Sequence, residues 1–241
     1  MTTAAALTAI PHTRSIGRSH IAAAHLSGLL LFAAGVTIVL VIITAEALYP
    51  IAYSTGHNEI SDLGGTRPPG GLVFQPSATI FNIGMMLSGL LVTLAAAVLH
   101  RVFGRWWLSS AIGILGISAL LVGIFPGNTG TPHAVAAMVA FISGGVAAVL
   151  SAQVTRSPIA WAFRLLGGVN LALLGSYFIQ GDASPAWALG TGGAERWIVY
   201  PILLWLVGFG GYLAGLSDER QEGADRGRLH CQPGTATPVP N

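Results

Sequence analysis

Charge is what this chain has least of. Lysine is absent, and Asp, Glu and Arg together make up only 8% of its 241 residues. A water-soluble domain carries about 25% charged residues. A mostly solvated surface is therefore excluded, and an integral membrane protein is implied. Cysteine occurs once, at Cys231 in a polar C-terminal stretch. That excludes an internal disulfide framework and a cysteine-based zinc site. The formal charge of +2 is too small to suggest nucleic-acid binding. Met1 to His20 holds two arginines but no short apolar core followed by a small-residue cleavage site, so no cleaved signal peptide is expected. The alternating ten-residue strands of an outer-membrane barrel are also missing.

What the chain does have is long apolar runs. Six of them can cross about 30 Å of hydrocarbon at about 1.5 Å per residue. They are read at Ala23–Ala45, Ser77–Leu99, Trp106–Phe125, Ala134–Val154, Ile159–Ile179 and Trp197–Leu216. Backbone groups in lipid must be satisfied within their own segment, so the expected fold is all-α: a bundle of six transmembrane helices. Small residues recur inside the runs, among them Gly84 and Ser88, Gly113 and Gly116, Gly144-Gly145, Gly167-Gly168, and Gly208 with Gly211. They allow close helix approach, which here reads as bundle packing. The expected organisation is an N-terminal segment over 1–21, the membrane domain over 22–216, and a disordered tail over 217–241, which is Gly-, Pro- and charge-rich.

The arginines set a side. With a cytoplasmic N-terminus, the inner segments hold Arg14, Arg18, Arg101, Arg105, Arg156, Arg164, Arg220, Arg226 and Arg228, and the outer segments hold Arg67 and Arg196. Nine against two is a strong positive-inside bias. It predicts a multi-pass protein of the cell membrane with both termini cytoplasmic.

Outside the tail, the acidic residues fall on the expected outer side: Glu46, Glu59, Asp62, Asp182 and Glu195. The densest polar cluster is His57-Asn58-Glu59-Ile60-Ser61-Asp62, in an outer loop running roughly from Leu48 to Pro76. If Asn58 to Leu63 forms a helical turn, His57 and Ser61 share a face, as do Asn58 and Asp62. Asn58 or Ser61 could equally be helix caps. The second outer loop leads into His133. The third, from Gln180 to Arg196, carries Asp182 and ends in Glu195-Arg196. Asn82 adds a polar group near the outer end of the second span.

These segments also carry a resemblance. Asn58-Glu59-Ile60-Ser61-Asp62-Leu63-Gly64 is followed by Phe81-Asn82-Ile83-Gly84. Later come Phe125-Pro126 with His133 shortly after, then Glu195-Arg196 leading into Tyr200-Pro201 and Leu204-Trp205. Together they resemble the six-helix membrane family catalogued as domain of unknown function 998, over about Ala22 to Gly215. The resemblance implies that fold and a polar outer site, and it implies no reaction. A weaker likeness is to FRAG/DRAM-type membrane proteins, some linked to lipid remodelling, and it points towards lipid.

Three functions follow. The first is binding of a lipid headgroup or other amphipathic substrate in a polar pocket at the outer leaflet. Its binding candidates are Asn58, Glu59, Arg67, Asn82, Asp182, Glu195, Arg196 and Tyr200. Arg67 and Arg196, the two outer cations, suit a phosphate. The second is an intramembrane lipid hydrolase or transferase with His57, Ser61, Asp62 and His133 as catalytic candidates. One version places a metal ion on His57, Asp62 and His133, but only two outer histidines exist and there is no His-x-x-x-His. The other uses Ser61 with His133 as base, although no Gly-x-Ser-x-Gly elbow surrounds Ser61. The third is a small transporter or membrane scaffold. No repeat relates the two halves, and the spans carry no mid-membrane charge to relay a proton.

Overall fold

A computed structural model describes the backbone of residues 12–230 and the side chains of residues 20–216 apart from Asp182. Six α-helices make up the bundle: α1 His12–Ala47, α2 Ser77–Phe103, α3 Trp106–Ile124, α4 Thr131–Ser151, α5 Ile159–Gln180 and α6 Gly190–His230. Each contains a segment long and apolar enough to cross a membrane. Among the described residues no strand forms. Consecutive helices pack side by side, α6 returns against α1, and α4 also touches α6. Leu31, Leu108, Ile112, Trp205, Leu206 and Phe209 fill the interior. Apolar side chains such as Leu165, Leu204 and Ile43 point outward, as they do on a lipid-facing surface.

Glycines bring three helix pairs together. A Cβ on Gly28 of α1 would lie 2.6 Å from the Gly210 carbonyl of α6, and one on Gly89 of α2 would lie 2.6 Å from the Gly116 carbonyl of α3. A Cβ on Gly167 of α5 would lie 2.5 Å from the Gly145 carbonyl of α4. Apolar helices gain little from hydrophobic burial within lipid, so such backbone-to-backbone contact carries much of their attraction. Gly116, Gly145 and Gly167 are among the small residues expected to do this.

Three helix boundaries differ most from the sequence reading. Helix α1 begins at His12 instead of Ala23. Helix α6 begins at Gly190, so the expected outer loop from Gln180 to Arg196 is largely structured. Short 3-10 turns cover Gly181–Ala183 and Pro185–Leu189, and Glu195 and Arg196 lie inside α6. The run Gly190-Thr191-Gly192-Gly193 reads as loop by composition, but tertiary contacts make it helix. The Gly192 and Gly193 N–H groups both donate to the Gly56 carbonyl, at 3.0 and 3.3 Å. The first loop thus satisfies donors that a helix start leaves open. The backbone of α6 continues to His230, past the expected end near Leu216. The disordered tail expected over 217–241 is described in its backbone as far as His230, where it is helical; residues 231–241 and the side chains from 217 onward lie outside the described part.

At the end of the bundle away from this loop, the Arg164 guanidinium lies 4.7 Å from the centre of the Trp161 ring, and Arg105 lies 5.4 Å from Trp107. Arginine–aromatic pairs of this kind suit a membrane–water boundary.

Candidate functional site

The first loop is built around a guanidinium. Arg196, 7% exposed, donates from one terminal nitrogen to the carbonyls of Thr55, Asn58 and Gly192, at 2.9, 2.9 and 3.0 Å. Its other terminal nitrogen meets Glu46 Oε1 at 2.5 Å and the Tyr53 hydroxyl at 2.8 Å. Tyr53 in turn donates to the Glu59 carbonyl at 2.8 Å. Burial pushes the Tyr53 phenol well above its ordinary pKa, so it stays a donor. One arginine therefore ties α1, the first loop and the start of α6 together.

The rest of the loop is held by smaller contacts. Asp62 Oδ2 accepts from the Glu59 N–H at 3.0 Å and from the Asn58 side-chain amide at 3.5 Å. Asn58 and Asp62 thus meet, although only Ser61–Leu63 of the expected Asn58–Leu63 turn is helical. Asn58 Oδ1 accepts from the Ser54 N–H at 2.9 Å. The Asn82 amide donates to the Gly64 carbonyl at 3.2 Å and pins the loop onto α2. Its Oδ1 finds no conventional donor and faces the Gly64 α-carbon, and Asn128 Oδ1 faces the Gly65 α-carbon in the same way. These are positions for weak Cα–H···O contacts, available here because both residues lack a side chain.

The candidates divide by where their side chains go. His57 is exposed, while Ser61 is buried. The two therefore do not share a face: residues 54–58 form a separate turn, and only Ser61–Leu63 is a 3-10 helix. Asn58, Asp62 and Asn82 shape the loop. Tyr200 lies on a lipid-facing groove between α5 and α6 that Arg196 also borders. The Asp182 side chain lies outside the described residues.

Glu59, Ser61, Arg67, His133 and Glu195 do come together. They line a cavity of about 650 Å³ between the first loop and helices α4, α5 and α6. Its remaining wall is largely apolar and aromatic, with Ala134, Met138, Phe141, Leu174, Tyr177 and Trp187. Ser61, His133 and Glu195 also border a second, apolar cavity of about 80 Å³ deeper in the bundle, so they stand at the boundary between the two. Arg67 sits at the mouth, with its side chain 70% exposed, and pairs with Glu59 at 2.8 Å. Arg67 and Arg196 thus do not converge on one ligand. Glu195 and Arg196 part because neighbouring residues on a helix point about 100° apart. Arg196 turns to Glu46, and Glu195 turns to the cavity, where it accepts from the Ile60 N–H.

His133 is 6% exposed, and its Nδ1 lies 2.8 Å from the Phe125 carbonyl. A carbonyl only accepts, so Nδ1 carries a proton, and in the neutral ring Nε2 then holds the lone pair. No described residue hydrogen-bonds to Nε2. Ser61 Oγ donates to Glu59 Oε2 at 3.3 Å. Among the described residues, no three His, Cys, Asp or Glu side chains gather closely enough to hold a metal ion. His57, Asp62 and His133 form no such trio, because His57 faces outward and Asp62 is held on the loop backbone.

Residues 16–212 match a family model described as a protein of unknown function, DUF998. The chain belongs to the DUF998 family. No match to a curated protein or to a solved structure was found. The six apolar helices make this DUF998 chain a multi-pass membrane protein, and membership in the family gives no reaction. Sequence reasoning missed Tyr177, Trp187, Met138 and Phe141 in that cavity. A signal was present for three of them: Tyr177 recurs with Leu174 at helical spacing on α5, as Met138 and Phe141 do on α4. Trp187 carried none.

The Glu59 carboxyl is raised above the ordinary glutamate range, first by burial and then by Asp62, with Arg67 and Ser61 opposing. The folded state holds this proton more tightly than the unfolded chain does. The associated stability is therefore fully present below the ordinary glutamate pKa and is lost as pH rises through the raised value. The melting temperature in detergent is expected to fall as pH rises across that window, and Glu59→Gln should flatten the fall. An unchanged slope in the variant would assign the titration to another group.

Proposed function

We propose that this protein binds an amphipathic membrane molecule at the outer leaflet. The polar part lies against Ser61, His133 and Glu195, and the apolar part lies along α4, α5 and α6. The observation that carries this reading is the cavity of about 650 Å³ with its polar groups gathered on the loop side and its remaining wall apolar. That volume is in the usual range for a small-molecule site, about 300–1,000 Å³. The arginine partition supports the outer side, because the polar loops lie opposite the arginine-rich ends.

The experiment is native mass spectrometry of protein extracted with its surrounding lipid. Ala134 is exposed at the cavity wall, so Ala134→Trp fills space without overpacking the bundle. The parent is expected to retain a bound amphipath that the variant loses, with both proteins melting within a few degrees of each other. Equal retention would place the molecule elsewhere on the protein.

His133 favours a second reading, hydrolysis or group transfer on the bound molecule. Its Nδ1–H is fixed by a carbonyl and its Nε2 lone pair is left over in a ligand-sized cavity, which is the arrangement a general base needs. If the protein turns over its ligand, His133→Gln is expected to keep the ligand bound and stop product release. Release at the parent rate would discard the catalytic role.

A further inference from the structure

The polar groups of the cavity are unequally matched. Its one cation, Arg67, sits at the mouth and is already paired with Glu59. The other cation at this end of the bundle, Arg196, is engaged by Glu46 and Tyr53. The deeper groups are acceptors. Glu195 has no ion-pair partner among the described residues. His133 presents an Nε2 lone pair although the residue is 6% exposed. Ser61 directs its proton to Glu59 and keeps its lone pairs. Two aromatic rings stand in the same cavity, Tyr177 and Trp187, edge to face with centroids 5.4 Å apart.

Glu195 accepts one backbone N–H, from Ile60, and Nε2 of His133 has no donor among the described residues; a buried carboxylate without a countercharge is costly. A phosphate would bring still more acceptors and negative charge to this wall. A group with N–H donors and a positive charge would satisfy it: it can bond Glu195, Nε2 of His133 and Ser61 together, and it is attracted to aromatic faces. We propose that the deep end of the cavity recognises a protonated amine carried by an amphipathic molecule. This rests on the amphipath-binding reading above and specifies the polar group. It also reverses the chemistry expected from the outer arginines, because both are already neutralised by glutamates.

The test uses the full-length protein in phosphatidylcholine nanodiscs. Binding of dodecylamine, dodecyltrimethylammonium and dodecyl phosphate is measured against the Ala134→Trp variant, which subtracts simple partition into the bilayer. Dodecylamine is expected to bind about tenfold or more tighter than either of the others, a difference of about 1.4 kcal/mol. Glu195→Gln should remove most of that preference. His133→Phe provides an independent variant if Glu195→Gln does not fold, and it should reduce the preference by deleting the Nε2 acceptor. Equal binding of dodecylamine and dodecyltrimethylammonium would overturn recognition through N–H donors. Tighter dodecyl phosphate would overturn the amine while leaving amphipath binding intact. Cavity-dependent binding of none of the three would count against both.

Discussion

Arg196→Ala is expected to destabilise the protein more than any other single change at the loop end. The guanidinium makes five hydrogen bonds that join α1, the first loop and α6. Its removal leaves Glu46 without its partner, and takes a donor from two loop carbonyls and from the Gly192 carbonyl of α6. Deleting one member of a buried ion pair typically costs about 3–5 kcal/mol, because the other charge stays behind. Arg196→Lys should rescue little, since an ammonium has three donors on one atom where the guanidinium spreads five over a planar fork. Adding Glu46→Gln to Arg196→Ala should cost less than the sum of the two changes, because they remove the same pair. Melting temperatures of the four proteins in one detergent check this. Additive losses would mean that the pair does not act as a unit.

Gly190→Ala comes second. Gly190 has φ +75° and ψ 170°, a region that is nearly glycine-only. A Cβ there would also run into the Gly56 carbonyl. Backbone strain of this kind costs about 1–3 kcal/mol, and the collision adds to it by prising α6 from the first loop. Gly168, which has open space around its missing Cβ, is the control. Gly190→Ala should melt well below the parent and expose the first loop to protease, whereas Gly168→Ala should do neither. Equal behaviour of the two would show that the glycine-rich start of α6 is not docked on the loop.

The six helices were legible because lipid makes one demand along a whole span: apolar side chains with every backbone group satisfied internally. That demand leaves a mark in composition alone. The start of α6 was not legible. Thr191, Gly192 and Gly193 become helical only because Gly56 lies against them, and nothing local encodes that contact. The candidate site was legible as a set of polar residues on one side of the bundle. How those residues sort was not legible. Glu195 and Arg196 are adjacent in sequence, yet one meets the cavity and the other holds the scaffold. His57 and Ser61 are four residues apart, yet the loop turns between them and sends one outward. Side-chain direction in a folded loop depends on what the loop rests against, and here that is Arg196.

Amphipath binding requires that a molecule occupy the cavity between the first loop and α4–α6. The direct measurement is photocrosslinking in nanodiscs with an alkyl amine bearing a diazirine on its chain, read by peptide mass spectrometry. Labels concentrated on α4 between Ala134 and Phe141, with Leu174 and Tyr177 of α5, and lost in Ala134→Trp, are the predicted result. Labels confined to the lipid-facing groove at Trp197, Tyr200 and Leu204, unchanged in that variant, would contradict it.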